Sequence, residues 1–290
     1  QLKVANSIWA EQTYAFNIDF LDTLAVNYGA GLQLLDFVND PDGSRETINT
    51  WVEEKTETRI KDLLPELSIK NSTRLVLTNA VYFNAVWDKP FEVGMTQAEA
   101  FNTLSGETVT ASMMRQTERF RYHRDEDFSA IEMDYAGREV SLLAIVPDAG
   151  QYDAVTGRLD VGLLTHITEQ LEPKEVDLKM PSFEFEAAVD VVEPLKAFGM
   201  VDAFIESQAD FSGMDGTRDL FISGIFHKTF IKLDESGTEA AAATAVVVGI
   251  ESAMPMPAET LHIDRPFVFA IRDNATGSIL FIGRIADPTP

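Results

Sequence analysis

The sequence predicts an α+β fold, and three observations carry that prediction. Residues 74–83 are nearly continuous in apolar side chains, as expected of a central strand covered on both faces. The stretch His227-Lys-Thr-Phe-Ile-Lys-Leu-Asp-Glu-Ser236 sets Thr229, Ile231 and Leu233 opposite Phe230, Lys232 and Asp234, the alternation of a half-buried strand. Segments of helical period are mixed irregularly with such strands, which favours α+β.

The elements follow in chain order. Over 44–64, Ile48, Trp51, Val52, Ile60, Leu63 and Leu64 stand among charged residues, so a single amphipathic surface helix is expected. The central strand at 74–83 comes next, then a buried strand at 140–146. Residues 161–171 and 188–198 have helical spacing. A second buried strand is expected at 267–271. The turn Asn274-Ala-Thr-Gly277 would fold 267–272 back against 278–285.

Composition narrows the function. With 290 residues, 45% apolar and 24% charged, the chain is long enough for one large domain, and no linker or repeat divides it. A single domain over 1–290 is expected. The formal charge of −24 excludes nucleic acid as a partner, because a phosphate backbone would be repelled. The longest uncharged apolar stretch, within 240–250, is shorter than the roughly 20 residues needed to span a bilayer, so no membrane association is expected. There are no cysteines and hence no disulfides. None of the four histidines, His123, His166, His227 and His262, has His-Glu-x-x-His or paired zinc-site spacing, so no metal is expected. Nucleophile elbow, Walker loop and dinucleotide fingerprint are all missing, which argues against an enzyme or a cofactor.

The most informative stretch is Gly237-Thr-Glu-Ala-Ala-Ala-Ala-Thr-Ala-Val-Val-Val-Gly249. Ser236 and Glu239 could form a capping box, and Ala240, Ala241, Ala242 and Ala243 favour a helix. As a strand, the same residues put Thr238, Ala240, Ala242, Thr244, Val246 and Val248 on one small uncharged face, able to enter a sheet without burying a charge. Both readings stand on these residues alone. The stretch is a long connection between two predicted strands, and such loops are usually functional or disordered.

At this point the chain resembles the serpins, a superfamily of protease inhibitors. Asp234-Glu-Ser-Gly-Thr-Glu-Ala-Ala-Ala-Ala-Thr244 matches the family hinge almost residue for residue. Leu75-Val-Leu-Thr-Asn-Ala-Val-Tyr-Phe83 and Trp87-Asp-Lys-Pro-Phe91 resemble the central strand and the gate below the loop insertion point. Leu195–Met200, Ala203-Phe204 and Ala209–Met214 resemble the link ahead of the hinge. Arg265-Pro-Phe-Val-Phe269 and Ser278–Arg284 resemble the closing strand pair. Leu2–Trp9 resembles an edge strand that follows several N-terminal helices in the family, so the domain is expected to be N-terminally incomplete.

The resemblance implies a serpin fold, mixed β-sheets with surrounding helices, and an exposed reactive-centre loop at about 235–260. It implies a suicide inhibitor: a serine protease attacks the loop, forms a covalent acyl complex, and is dragged away as the cut hinge inserts into a sheet. Glu235, Gly237, Thr238, Glu239, Ala240–Ala243 and Thr244 would form the hinge. Counting fourteen positions from Gly237 puts the attacked bond between Glu251 and Ser252, with Val248, Ile250 and Ala253 as rival registers for apolar protease pockets. Asn79, Trp87 and His227 would mark the region where the sheet opens, with Asn79 and His227 bonded to one another. Glu235 corresponds to a glutamate that often pairs with a basic residue on the neighbouring strand, where this chain carries Ser182. By the same resemblance the full-length protein would be a monomer in an extracellular or cell-surface setting, with no cofactor. A non-inhibitory carrier, chaperone or storage role and inhibition of cysteine proteases are the alternatives.

Overall fold

The computed structural model describes residues 2–28, 32–238 and 258–289. Among these the strands are β1 Leu2–Glu11, β2 Gln33–Leu35, β3 Leu75–Phe83, β4 Ala85–Val86, β5 Gln97–Asn102, β6 Thr108–Arg124, β7 Phe128–Asp134 and β8 Val140–Pro147. They continue with β9 Glu172–Pro181, β10 Phe183–Val189, β11 Phe226–Asp234, β12 Gly237–Thr238, β13 Glu259–His262, β14 Phe267–Asp273 and β15 Ile279–Ile285. The helices are α1 Ile18–Tyr28, α2 Pro41–Lys55, α3 Tyr152–Thr156, α4 Val161–Gln170, α5 Val192–Ala197 and α6 Ser212–Asp215. Two compact units divide the chain, one of Gln1–Phe83 with Glu186–Phe230, the other of Asn84–Phe185 with Ile231–Pro290.

In the first unit the strand order is β2-β1-β3-β11. β1 runs antiparallel to β3 over nine paired positions, and β3 runs parallel to β11 from Phe226 to Phe230. One face of β3, Val76, Thr78, Ala80 and Tyr82, is buried; Leu77, Asn79 and Val81 on the other are only half-buried. The expectation of a strand covered on both faces is therefore corrected to one buried face. Trp9, Phe37, Ile48, Val52, Ile60, Leu64, Tyr82 and Phe230 make the core.

The predicted helix over 44–64 is real only to Lys55. Asp40 accepts the Gly43 N–H at 3.0 Å and Pro41 starts the first turn, both ordinary helix-start devices. Thr56 stops it: its N–H donates to the Val52 carbonyl, and its hydroxyl accepts the Ile60 N–H at 3.1 Å. Glu57, Thr58 and Asp62 then take positive φ, which no helix accommodates. Ile60 and Leu64 are nonetheless fully buried, because the Asn49 amide brackets the Leu64 peptide, donating to its carbonyl at 3.0 Å and accepting its N–H at 2.8 Å. A side-chain amide thus replaces the helical ladder. The helix expected over 188–198 also shortens. Strand β10 runs to Val189, Asp190 accepts the Val192 N–H at 2.9 Å, and only α5 is helical.

The second unit is built on an eight-stranded sheet ordered β13-β9-β6-β7-β8-β14-β15, with β5 paired to β6. The predicted β8, the β14–β15 hairpin and α4 are all present. Phe128, Ala130, Leu143 and Ile145 pack against Val155 of α3 and Ile167 of α4. The longest strand, β6 at 17 residues, was not foreseen, since its charges mask the alternation. Those charges are met across the ladder, Arg115 by Asp177 of β9 at 2.8 Å. A short second ladder, β11-β12-β4, completes this unit with the residues of β11 from Ile231 onward.

Candidate functional site

In the first unit the sheet places Asn6, Asn79 and His227 at paired positions of β1, β3 and β11. Asn79 Nδ2 donates to Asn6 Oδ1 at 2.5 Å, and His227 Nδ1–H donates to Asn79 Oδ1 at 2.5 Å. A row of three polar side chains therefore crosses three strands on one face. Each polar atom of the Asn79 amide has a partner, as a half-buried amide requires. Burial holds the His227 imidazole below the ordinary histidine pKa, so the ring is neutral at pH 7. The expected Asn79–His227 contact is present. Asn6 was not foreseen; its position opposite Asn79 depends on a register that only strand pairing reveals.

In the second unit Trp87 is 3% exposed and stacks on Tyr135, with ring centroids 4.5 Å apart and planes 10° from parallel. Its edge meets Phe91 at 6.5 Å. Three bonds tie this aromatic group to the approach of the hinge: Trp87 Nε1–H donates to the Asp234 carbonyl at 3.0 Å, the Trp87 N–H to the Ser236 carbonyl at 2.8 Å, and the Phe91 N–H to the Glu235 carbonyl at 2.8 Å. The Glu235 side chain accepts the Thr96 hydroxyl at 2.6 Å. Ser182 donates to the Ser112 carbonyl at 3.4 Å, and among the described residues the Thr96 hydroxyl, just ahead of β5, is the partner recorded for the Glu235 carboxylate.

Of the hinge residues, Gly237 and Thr238 are strand. Asp234 Oδ1 accepts the Ser236 N–H at 2.9 Å and turns the chain, after which Gly237 and Thr238 pair with Asp234 and Leu233 on one side and with Val86 and Ala85 on the other. Thr238 is fully buried and its hydroxyl lies 2.7 Å from the Tyr135 hydroxyl. Burial pushes the Tyr135 phenol above its ordinary pKa, so it remains a hydrogen-bonding group at any physiological pH. Gly237 has φ +146°, and a Cβ there would lie 2.2 Å from the Ala85 carbonyl oxygen. The capping-box reading of Ser236 is thereby corrected: at 236–238 the chain is turn and strand. Glu239, Ala240, Ala241, Ala242, Ala243, Thr244, Glu251 and Ser252 lie outside the described residues.

Tyr135, Phe91 and Thr96 escaped the sequence reading, although Phe91 stands in the quoted gate motif. Tyr135 directly follows β7 in ordinary company, and nothing local marks it as the floor on which Trp87 rests.

The comparisons with known proteins agree with this geometry. The family model described as "Serpin (serine protease inhibitor)" matches residues 1–288. A leukocyte elastase inhibitor of Equus caballus is 40% identical over 297 residues, covering 99% of this chain and 78% of the relative. Human Serpin B3 is 39% identical over 293 residues, with 99% and 75% covered, and a serpin-like protein of Methanosarcina acetivorans is 35% identical over 288 residues, with 99% and 67% covered. Among solved structures, uncleaved ovalbumin superposes with a TM-score of 0.89 at 28% identity over 99% of this chain and 77% of that one. Thyroxine-binding globulin in complex with thyroxine gives 0.87 at 29% identity over 100% and 76%. The chain belongs to the serpin family and has the serpin fold. Serpins are protease inhibitors rather than proteases, and the Equus caballus relative is named for that activity. Among the described residues no helix is long and apolar enough to cross a membrane.

Proposed function

We propose that this serpin inhibits serine proteases as a suicide substrate, acting as one domain over 1–290 with a reactive loop at about 235–260. The observation that carries the reading is the hinge. Gly237 and Thr238 already occupy a strand position beside β11, and the residues that follow offer alternate small uncharged side chains, the requirement for extending a strand into a sheet.

In this reading the protease serine oxygen attacks the carbonyl carbon of Glu251. The peptide bond to Ser252 breaks, the Ser252 nitrogen leaves as a free amine, and residue 251 remains as an ester on the enzyme. The freed hinge then completes a strand of fourteen residues, 238–251, about 46 Å at roughly 3.3 Å per residue, carrying the protease away before the ester is hydrolysed. Asn79, His227 and Trp87 hold the two places where strands would have to part. The partner is the protease, the inhibitor is a monomer, and the setting is the extracellular one that the family resemblance implies. The name of the Equus relative, an elastase inhibitor, favours a second register with Val248, Ile250 or Ala253 attacked, since elastase-like pockets take apolar side chains.

A panel of serine and cysteine proteases tests this. We expect a denaturant-stable covalent adduct with a serine protease of acid-accepting pocket and a released peptide Ser252–Pro290 by mass spectrometry. A peptide beginning at 249, 251 or 254 selects the apolar register. No adduct with any serine protease would overturn the proposal, leaving a carrier or storage role if the chain stays intact and a cysteine-protease inhibitor if those enzymes alone are trapped.

A further inference from the structure

His123 is the last but one residue of β6, Asp125 lies in the turn to β7, and His166, 43 residues after His123, is on α4. All three belong to the second unit. One ligating atom from each, two imidazole nitrogens and a carboxylate oxygen, lie within 4.8 Å of one another. The His123 and His166 rings meet edge to face with centroids 6.3 Å apart. An independent observation points into the same space: His123 Nε2 is buried and has no hydrogen-bond partner among the described residues, while Asp125 Oδ2 stands 3.8 Å away, beyond hydrogen-bonding reach. A buried nitrogen left without a partner is costly unless something else occupies its lone pair. Asp125 is oriented by the Glu126 N–H, which donates to its other oxygen, Oδ1, at 2.6 Å.

From this geometry we infer that His123, Asp125 and His166 form a binding site for a divalent transition-metal ion of the zinc class. Two imidazoles and one carboxylate suit zinc, which is borderline in softness and takes nitrogen and oxygen ligands at about 2.0–2.2 Å. A tetrahedral ion needs ligand atoms roughly 3.4 Å apart, so separations that reach no more than 4.8 Å close by at most about 1.4 Å on loading. His166 is exposed and free to make that movement. Its exposed side leaves the fourth position to water. The neighbouring Ile167 is fully buried against Phe128 and Leu143, so the backbone that carries His166 is fixed while its imidazole turns. Loading would clamp α4 to the end of β6 and stabilise the unit by mass action.

The test is titration of the whole chain with zinc chloride by calorimetry, repeated with cobalt to read ligand-field absorption and with a thermal melt. We expect one ion per chain, tetrahedral cobalt bands, and a transition shifted upward with metal. His166→Ala changes an exposed side chain and Asp125→Asn keeps the shape of its carboxylate; each should weaken binding by at least about 10- to 100-fold, the loss that even an outer-shell partner causes. His262→Ala, removing a histidine outside the cluster, should bind as the parent does. Absence of saturable one-to-one binding would overturn the inference, and so would affinity unchanged in both His166→Ala and Asp125→Asn.

Discussion

His227 is the one titratable side chain in its row, since Asn6 and Asn79 are amides. Burial lowers its pKa from the ordinary 6.5. In the unfolded chain the ring takes up its proton as pH falls through about 6.5, while the folded ring still refuses it. Over that window the unfolded state binds more protons, so stability is full above the unfolded pKa and falls as pH drops toward the folded one. Urea midpoints measured between about pH 8 and pH 5.5 should therefore decline on the acid side, and His227→Gln, which has no proton to gain, should flatten the slope. Equal slopes in the two proteins would remove His227 from the account. Gly237 is constrained differently: its φ of +146° and the Ala85 oxygen 2.2 Å from any Cβ leave room for glycine alone. Gly237→Ala should cost about 2–3 kcal/mol and reduce hydrogen-exchange protection of the β4–β12 pairing.

At the scale of elements, the second unit's sheet is held by a charge as well as by its apolar core. Glu132 of β7 has a fully buried carboxylate that meets Arg121 of β6 at 2.5 Å and Arg272 of β14 at 3.1 Å, and accepts the Ser141 hydroxyl of β8 at 2.6 Å. Four strands thus converge on one side chain. Glu132→Ala leaves Arg272, only 16% exposed, without its counter-charge, and should cost about 3 kcal/mol. The figure belongs at the low end for a buried pair because Arg121 is 40% exposed and regains water. A lower denaturant midpoint at unchanged m would bear this out, whereas a loss under about 1 kcal/mol would mean that the arginines find other partners.

At the scale of the whole molecule the question is whether the hinge enters a sheet. Thr238 is already fully buried, so a charge there would damage the resting protein as well as any inserted form. Ala242, four positions on and on the same predicted face, separates the two effects. Ala242→Arg would have to bury an unpaired guanidinium during insertion, a cost of several kcal/mol, and insertion should then lag behind ester hydrolysis. The variant should be cut at the parent's bond and with the parent's melting transition, yet yield mostly cleaved chain rather than adduct at the same protease ratio. As much adduct as the parent would sink the insertion mechanism.

Amino-acid pattern alone determined the elements whose signal is local: the apolar run of β3, the turn that closes β14 on β15, the helical period of α4, and the hinge motif by its near identity to a family. Asn79 and His227 were legible because they sit inside such motifs. Tertiary structure decided everything that depends on which residues lie opposite one another. It ended α2 at Thr56 while keeping Ile60 and Leu64 in the core, paired the charges that disguised β6, set Tyr135 beneath Trp87 and against Thr238, and brought His166 to His123 and Asp125 across 43 positions of chain. The division is physical. Propensity and periodicity act over a few residues and leave a trace in composition, whereas a strand register or a helix seated on a sheet is a choice among long-range contacts that no short window contains.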